Sequence, residues 1–423
     1  MIATKEIKQQ LVRFGVLLFV LFILFWIFNV FYKREGHESV KPSISANGQI
    51  VAFETYDHPN TAIKTKDNKT GELRIVSTSS IGEEGNGESY SPAISDDGRF
   101  VAFISKASNL VPNDGDEVPD IFLKDTVTST IQLVNTDPNH HISEDTWDEN
   151  RPSVSGDGHY VVYGTSGEEL SSIDDSDMYL KDTITGTLKG IGIGYNPDIS
   201  ASGQFVTFCA EPYVVNKQAE LLDEKEGVQV FRKNLLTGEV ASLTPVQKQR
   251  EIDKYESDLP HIFGMPSISA DGRYIAFQTT EKESSMDSFT TRNDVFVSDA
   301  VTGSLIYVGR GDQPSISPDG RFVVFHRWTE SMTQPYEVNG VYLYDAQSRD
   351  TELVSCNSDC DPPDSYSEHP TISGDGVYVA FDSIDHTLLP DVIPGIVRGD
   401  YNRVGGIFLK DITNGEISRA SRS

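Results

Sequence analysis

Apolar and polar positions recur along this chain as a repeated phrase rather than as one long amphipathic pattern. Seven times it reads Pro, a small or polar residue, Ile or Val, Ser, two variable residues, Gly, then an apolar run closing on Phe or Tyr. The copies begin at Pro42, Pro92, Pro152, Pro197, Pro266, Pro314 and Pro370. Self-similarity of this kind outranks other sequence signals, because it defines the unit that must stack on itself. Within a copy, Asn-Gly or Asp-Gly between two apolar runs predicts a hairpin, since Gly takes the positive φ of a tight turn. The turns are Asn47-Gly48, Asp97-Gly98, Asp157-Gly158, Asp271-Gly272, Asp319-Gly320 and Asp375-Gly376, with Ser202-Gly203 as a variant. Pro-Ser-Ile-Ser is then one short strand, and Arg273-Tyr-Ile-Ala-Phe277 typifies its partner. In that partner both alternating sets are apolar, Tyr274 and Ala276 on one side, Ile275 and Phe277 on the other. A strand apolar on both faces is expected between two packed layers.

A second strand pair follows each first pair. Its first member is typified by Ile121-Phe-Leu-Lys-Asp125, Met178-Tyr-Leu-Lys-Asp182 and Ile407-Phe-Leu-Lys-Asp411. Turns such as Thr70-Gly71, Thr185-Gly186 and Thr302-Gly303 come next, and a short outer strand such as Glu72–Ser77 closes the unit. Four antiparallel strands, seven times over, predict an all-β fold: a seven-bladed β-propeller. Successive prolines lie 50, 60, 45, 69, 48 and 56 residues apart. The variation belongs to the connections, which absorb insertions where strands do not.

On these motifs the chain resembles the TolB-type WD40-like (PD40) repeat propellers. Their pattern is Pro-x-aromatic/aliphatic-Ser-x-Asp-Gly-x-x-Ile-Ala-Phe followed by Ile-Tyr-Val-x-Asp. The resemblance covers residues 40–421 and implies the fold. TolB carries an α/β domain ahead of its propeller, whereas about 40 residues precede this ring. The resemblance therefore implies a TolB-like interaction module of the cell envelope, with a protein partner it does not name. Some TolB-like propellers are lyases, which gives an alternative: an enzyme acting on an acidic or uronic polysaccharide, with a glycan as ligand.

Ahead of the ring, residues 14–32 form an apolar run whose only strongly polar member is Asn29. At 1.5 Å per residue it reaches roughly 28 Å, enough for the hydrocarbon core of a bilayer. Its bulky Phe, Leu, Ile and Trp26 run on to Tyr32-Lys33-Arg34 without a small-residue cleavage triplet, so it reads as an uncleaved signal-anchor. The expected organisation is a cytoplasmic tail (1–13), a transmembrane helix (14–32), a linker (33–40) and the propeller (41–423). Lys5, Lys8 and Arg13 ahead of the span favour a cytoplasmic N-terminus, placing the ring in the periplasm or outside the cell.

Charge sharpens that picture. The chain has a net charge of −29, residues 1–34 hold +4 of it, and the remainder therefore carries −33. A domain this acidic repels nucleic acid and anionic headgroups, which excludes nucleic acid as a partner.

Chemistry is sparse. No Gly-x-Ser-x-Gly elbow, His-Glu-x-x-His pair or phosphate loop occurs, so no catalytic residues are assigned. A lyase would need His, Arg or a metal converging on the channel, and Arg151 and His369 are the obvious contributors. Asn113, Asp114, Asp116 and Asp120 surround Gly115 with hard oxygen ligands, either a solvated acidic turn or a calcium site. Calcium is the one cofactor considered, and it would suit an adhesion or envelope-structure role. Asp174, Asp175 and Asp177 form a weaker version. An Asp ends the third strand of nearly every repeat, with Asn234 standing in once. A residue repeated round a ring is expected to serve a turn. The residues before each proline, Lys41, Ser91, Arg151, Asn196, Met265, Gln313 and His369, are expected at one mouth of the channel, the default place for a small ligand. Cys356 and Cys360 either close a small disulfide loop or stay reduced, and Cys209 reads as a packed side chain. Residues 211–227, 245–265 and 383–404 read as insertions where partner specificity would sit.

Overall fold

The computed structural model describes residues 39–56, 61–112, 114, 118–136, 142, 151–165, 177–211, 215, 228–244, 262–285, 288–327, 339–361, 363, 365–385, 387–389 and 405–421. The tail, the apolar run 14–32 and most of the linker lie outside them. Among the described residues no helix is long and apolar enough to cross a membrane.

The seven repeats form seven four-stranded antiparallel sheets, each from strands consecutive in the chain. In blade 1 these are Ser39–Ile44, Ile50–Thr55, Ala62–Asp67 and Leu73–Ile75. The other inner strands are Ser89–Ile94, Ser153–Val154, Tyr195–Ile199, Ile262–Ile268, Asp312–Ile316 and Ser367–Ile372. Two boundaries differ from the sequence reading. Most inner strands begin before the proline, and the stretch 245–265 yields its last four residues to the inner strand of blade 5.

Second strands are buried on both sides, as their two apolar faces require: Val51, Ala52 and Phe53 are fully covered, as are Val101, Ala102 and Phe103. Each core lies between two blades. Ala52 and Ile63 of blade 1 pack with Val101, Phe103 and Phe122 of blade 2. Inside blades 2 to 7 the last aromatic of the repeat stacks on its third-strand partner, as Phe103 on Phe122 at 5.9 Å and Phe381 on Phe408 at 5.9 Å, whereas Phe53 of blade 1 pairs with Lys64. The ring closes without exchanging a strand. Blade 7 meets blade 1 through Ala380, Ile407 and Leu409 against Ile44, Val51 and Phe53, and through the Asp375 N–H on the Ala46 carbonyl at 3.0 Å.

The hairpin glycines have a second duty. Gly272 has φ +73, as its turn requires, but a Cβ there would also stand 2.3 Å from the Phe205 ring of blade 4. The turn of each blade thus seats on the residue that opens the second strand of the blade before, an aromatic in every case but Ile50 beneath Gly98.

The repeated third-strand Asp serves its turn. Asp125 Oδ1 accepts the N–H groups of Val127 and Thr128 at 2.9 and 3.2 Å. It also receives Arg99 in a two-point salt bridge at 3.0 and 2.6 Å, and Arg273 on Asp299 and Arg321 on Asp345 repeat it. The lysine beside that Asp ties neighbouring blades. Lys124 Nζ donates to Thr78 O, Thr78 Oγ1 and Ser79 O of blade 1 at 2.8, 3.0 and 2.9 Å. Lys410 reaches Cys356 O and Asn357 O of blade 6, both at 3.2 Å.

The strand directions give the ring two different ends. Inner strands run from the mouth towards their Gly turns, so those turns lie at one end, together with the turns between third and outer strands. The connections between second and third strands and between blades leave from the other; they include all the long ones, although 193–194, 286–287 and Gly311 are short joins.

Candidate functional site: the central channel

Inner strands face the axis, and their alternation stacks side chains in tiers. The cavity they enclose is about 260 Å³, just below the range usual for small-ligand sites. All seven residues before the prolines line it together. Below them come Ser43, Ala93, Ser153, Asp198, Ser267, Ser315 and Thr371, and at the far end Ala46, Asp96, Ala201, Ala270, Pro318 and Gly374. Small residues at that end let adjacent turns bond directly, Ala46 N–H to Asp96 O at 2.9 Å and Ala270 N–H to Pro318 O at 3.0 Å.

The backbone at the mouth is unusual. Lys41, Ser91, Asn196, Met265, Gln313 and His369 all have φ between +46 and +53. Each stands in a β-bulge, where the pairing register shifts. A non-glycine residue in this region carries strain, and a following proline already bars it from the right-handed helical region. The bulge frees its N–H from the sheet, and side chains take it up. Glu54 Oε1 accepts Ser91 N–H at 2.7 Å, Gln278 Oε1 accepts Gln313 N–H at 2.8 Å, and Gln313 Oε1 accepts His369 N–H at 2.8 Å. Each of these bonds crosses a blade boundary. One tier down, Ser43 Oγ accepts Ile94 N–H at 3.1 Å, Ser267 Oγ accepts Ile316 N–H at 3.2 Å, and Asp198 Oδ2 accepts Ile268 N–H at 3.0 Å.

The polar groups are distributed unevenly. The residue after the closing aromatic of each repeat is Glu54, Gln278, His326 and Asp382 in blades 1, 5, 6 and 7, but Ile104, Gly164 and Cys209 in blades 2, 3 and 4. The polar half is internally paired. Lys41 Nζ lies 3.8 Å from Glu54, which is almost fully buried. His326 Nδ1 meets Asp312 at 2.8 Å, and His369 Nδ1 meets Asp382 at 2.7 Å. Burial works against a charged His369 ring, but Asp382 and then Glu368 outweigh it, so its pKa stands above the ordinary value. On the opposite wall burial pushes the Asp198 carboxyl up, although Ser153 Oγ at 2.6 Å and the Ile268 N–H both favour the anion. These side chains can present hydroxyl, amide and paired charged groups to a small polar ligand.

The sequence reading identified the mouth residues but missed the partners that hold them. The signal lay one residue past each repeat, where blades 5, 6, 7 and 1 turn polar. Of the acidic loop, Asn113 and Asp116 lie outside the described residues. Asp114 is 8% exposed, and Asp120 accepts a bond from Asn135 Nδ2 at 2.5 Å. Asp174 and Asp175 lie outside as well, and burial raises the pKa of Asp177. Among the described residues no group of three His, Cys, Asp or Glu is arranged to hold a metal ion. Cys209, Cys356 and Cys360 are all free thiols, so the pair left open by the sequence is reduced here.

No protein-family model matches the sequence, and no curated protein matches it. Solved structures do match in fold. Oligogalacturonate lyase from Vibrio parahaemolyticus aligns with a TM-score of 0.55 at 13% identity, over 90% of this chain and 93% of that one. An acylaminoacyl peptidase from Pyrococcus horikoshii aligns at 0.52 and 12% identity, over 92% of this chain but 52% of its own. TolB from Acinetobacter baumannii aligns at 0.38 and 17% identity, over 64% of this chain and 53% of that one. At such identities the likeness is one of architecture, and at 0.38 it adds nothing to it.

Proposed function

We propose that this protein is a membrane-anchored scaffold of the cell envelope that presents a propeller outside the cytoplasm to a protein partner. The observation that carries this reading is the difference between the two ends of the ring. The long connections between strands leave from the channel-mouth end, where Ser39 also opens the first strand. A rigid ring with its variable connections gathered on one rim is the arrangement expected of a recognition surface. The charged side chains of the polar half-channel support the same reading, since they are spent on one another and on bulge N–H groups.

The test is in-cell crosslinking and capture of the full-length anchored protein, beside a version with residues 383–404 shortened. A reproducible envelope partner lost with that loop supports the scaffold. The same envelope partner captured with the loop shortened moves the contact off that loop, and a purely cytoplasmic set of partners, or none, overturns the scaffold. Protease protection of the ring in intact cells tests its side of the membrane independently.

A further inference from the structure

The turns between third and outer strands all lie at the closed end of the channel, and one position in them follows a pattern the turn does not require. In every blade the Asp or Asn ending the third strand accepts the N–H of the residue two places on. The distances are 2.9 Å for Val127, 3.0 Å for Ile184, 2.9 Å for Leu236 and 2.9 Å for Val301. They are 2.8 Å for Gln347, 2.9 Å for Thr413 and 2.8 Å for Lys69. The backbone N–H of that residue is what every turn shares, and blades 6, 7 and 1 place Gln, Thr and Lys there, Thr413 Oγ1 adding a bond of its own to Asp411 at 2.6 Å. Blades 2 to 5, four in succession, place Val127, Ile184, Leu236 and Val301, which are 74, 75, 81 and 72% exposed. Single exposed aliphatics are ordinary on a protein surface. The same position filled in four adjacent blades and in none of the other three forms an arc, and grouped exposed apolar residues mark contact surfaces.

The same end is acidic, with cations interspersed: Arg99 and Arg273 interact with Asp97 and Asp271, and His159 with Asp157, none within salt-bridge distance. Asp97, Asp157 and Asp271, in the hairpin turns beside these tips, accept a serine hydroxyl and a backbone N–H each. Among the described residues no salt bridge reaches them.

We infer that the arc is a docking surface for a protein whose face is cationic and has apolar hollows for the four tips. The net charge of −33 carried beyond residue 34 selects this occupant, by complementarity. A second copy of the chain would bring two strongly acidic faces together, and an anionic bilayer would be repelled in the same way. Geometry argues against any bilayer. If residues 14–32 cross the membrane, the six residues 33–38 span at most about 25 Å before the strand at Ser39. That strand starts at the mouth end, so the arc faces away from the membrane. The inference rests on the scaffold reading for its setting, but it concerns the opposite end of the ring from the loop 383–404, so each fails separately.

The experiment places a photo-crosslinking amino acid at positions 127, 184, 236 and 301 of the full-length protein in its own cells, and at 69, 347 and 413 as controls. The expected result is one basic protein captured from all four arc positions and from none of the controls. That protein, purified, is then titrated against the full-length scaffold in nanodiscs. The quadruple variant Val127→Thr, Ile184→Thr, Leu236→Thr, Val301→Thr keeps the turns and is expected to weaken binding at least about tenfold. Raising the salt is expected to weaken the parent complex further. Crosslinks to lipid or to a second copy, equal capture at the control positions, or an affinity untouched by the four substitutions overturns the inference. A melting curve of the variant matching the parent's shows that any loss belongs to the surface and not to folding.

Discussion

His369 and Asp382 face each other across the first two strands of blade 7, Nδ1 to Oδ1 at 2.7 Å, with the carboxylate 1% exposed. The pair holds the ring's pKa above its ordinary value. A group raised on folding contributes stability that is complete below its unfolded pKa, about 6.5 for histidine. That contribution is lost as pH rises through the folded value. The unfolding free energy of the parent minus that of His369→Gln is therefore expected to be largest near pH 6 and to shrink on the alkaline side. Chemical denaturation from pH 5.5 to 9 measures it, and a difference that grows with pH contradicts the pairing.

Asp125 illustrates the opposite sign. The Arg99 guanidinium, with turn N–H groups behind it, holds this carboxyl well below the usual range. Its contribution is present at neutral pH and lost as pH falls through the depressed value. Asp125→Asn is expected to cost about 1–2 kcal/mol at pH 7, discounted because Arg99 stands partly in solvent. The cost should diminish towards acid in urea titrations.

Lys124 is 4% exposed, its charge disfavoured by burial, and its three acceptors belong to blade 1. Lys124→Met keeps the stem and removes the donor, taking from the Thr78 carbonyl its ammonium at a blade boundary while Ser79 O keeps the Gly82 N–H at 3.1 Å. A loss of about 1–3 kcal/mol is expected. Retained stability would mean that water replaces the ammonium without penalty.

Two glycines with similar backbone angles separate conformational strain from lack of space. Gly238 has φ +77 and nothing within 4 Å of a Cβ, whereas Gly272 at φ +73 has the Phe205 ring at 2.3 Å. Gly238→Ala is expected to cost about 1 kcal/mol and Gly272→Ala about 2–4 kcal/mol. Melting temperatures of the two variants in parallel test the ordering.

Cys356 is buried, and its burial and the neighbouring Cys360 sulfur push its thiol up to about 12, while Cys360 is exposed. A thiol reagent is expected to label Cys360 first in the native protein and Cys209 and Cys356 only on unfolding. Rapid native labelling of Cys356 would contradict the burial.

The ring was legible because its code is local. An Asn-Gly or Asp-Gly between two apolar runs fixes a hairpin wherever it stands, and a strand apolar on both faces must be covered twice. Seven copies leave few other ways to arrange such strands. The Asp125 turn was legible for the same reason: its acceptors serve N–H groups two and three residues away. The channel was legible only in part. Position within the repeat put Lys41 and His369 at the mouth, but their bulged backbone and their partners Glu54 and Asp382 follow from pairing between strands.

The sequence by itself determined the blade, the number of blades, the acidity of the ring and the apolar run ahead of it, all of which rest on near neighbours in the chain or on composition. The tertiary structure decided what joins one blade to the next: Glu54 reaching Ser91, Lys124 reaching Thr78, Gly272 seated on Phe205. It also decided that the four aliphatic turn tips share one end of the ring. These relations link residues tens of positions apart, and the connections between them vary in length. No fixed spacing records them, and only closure of the ring brings them within a bond's length.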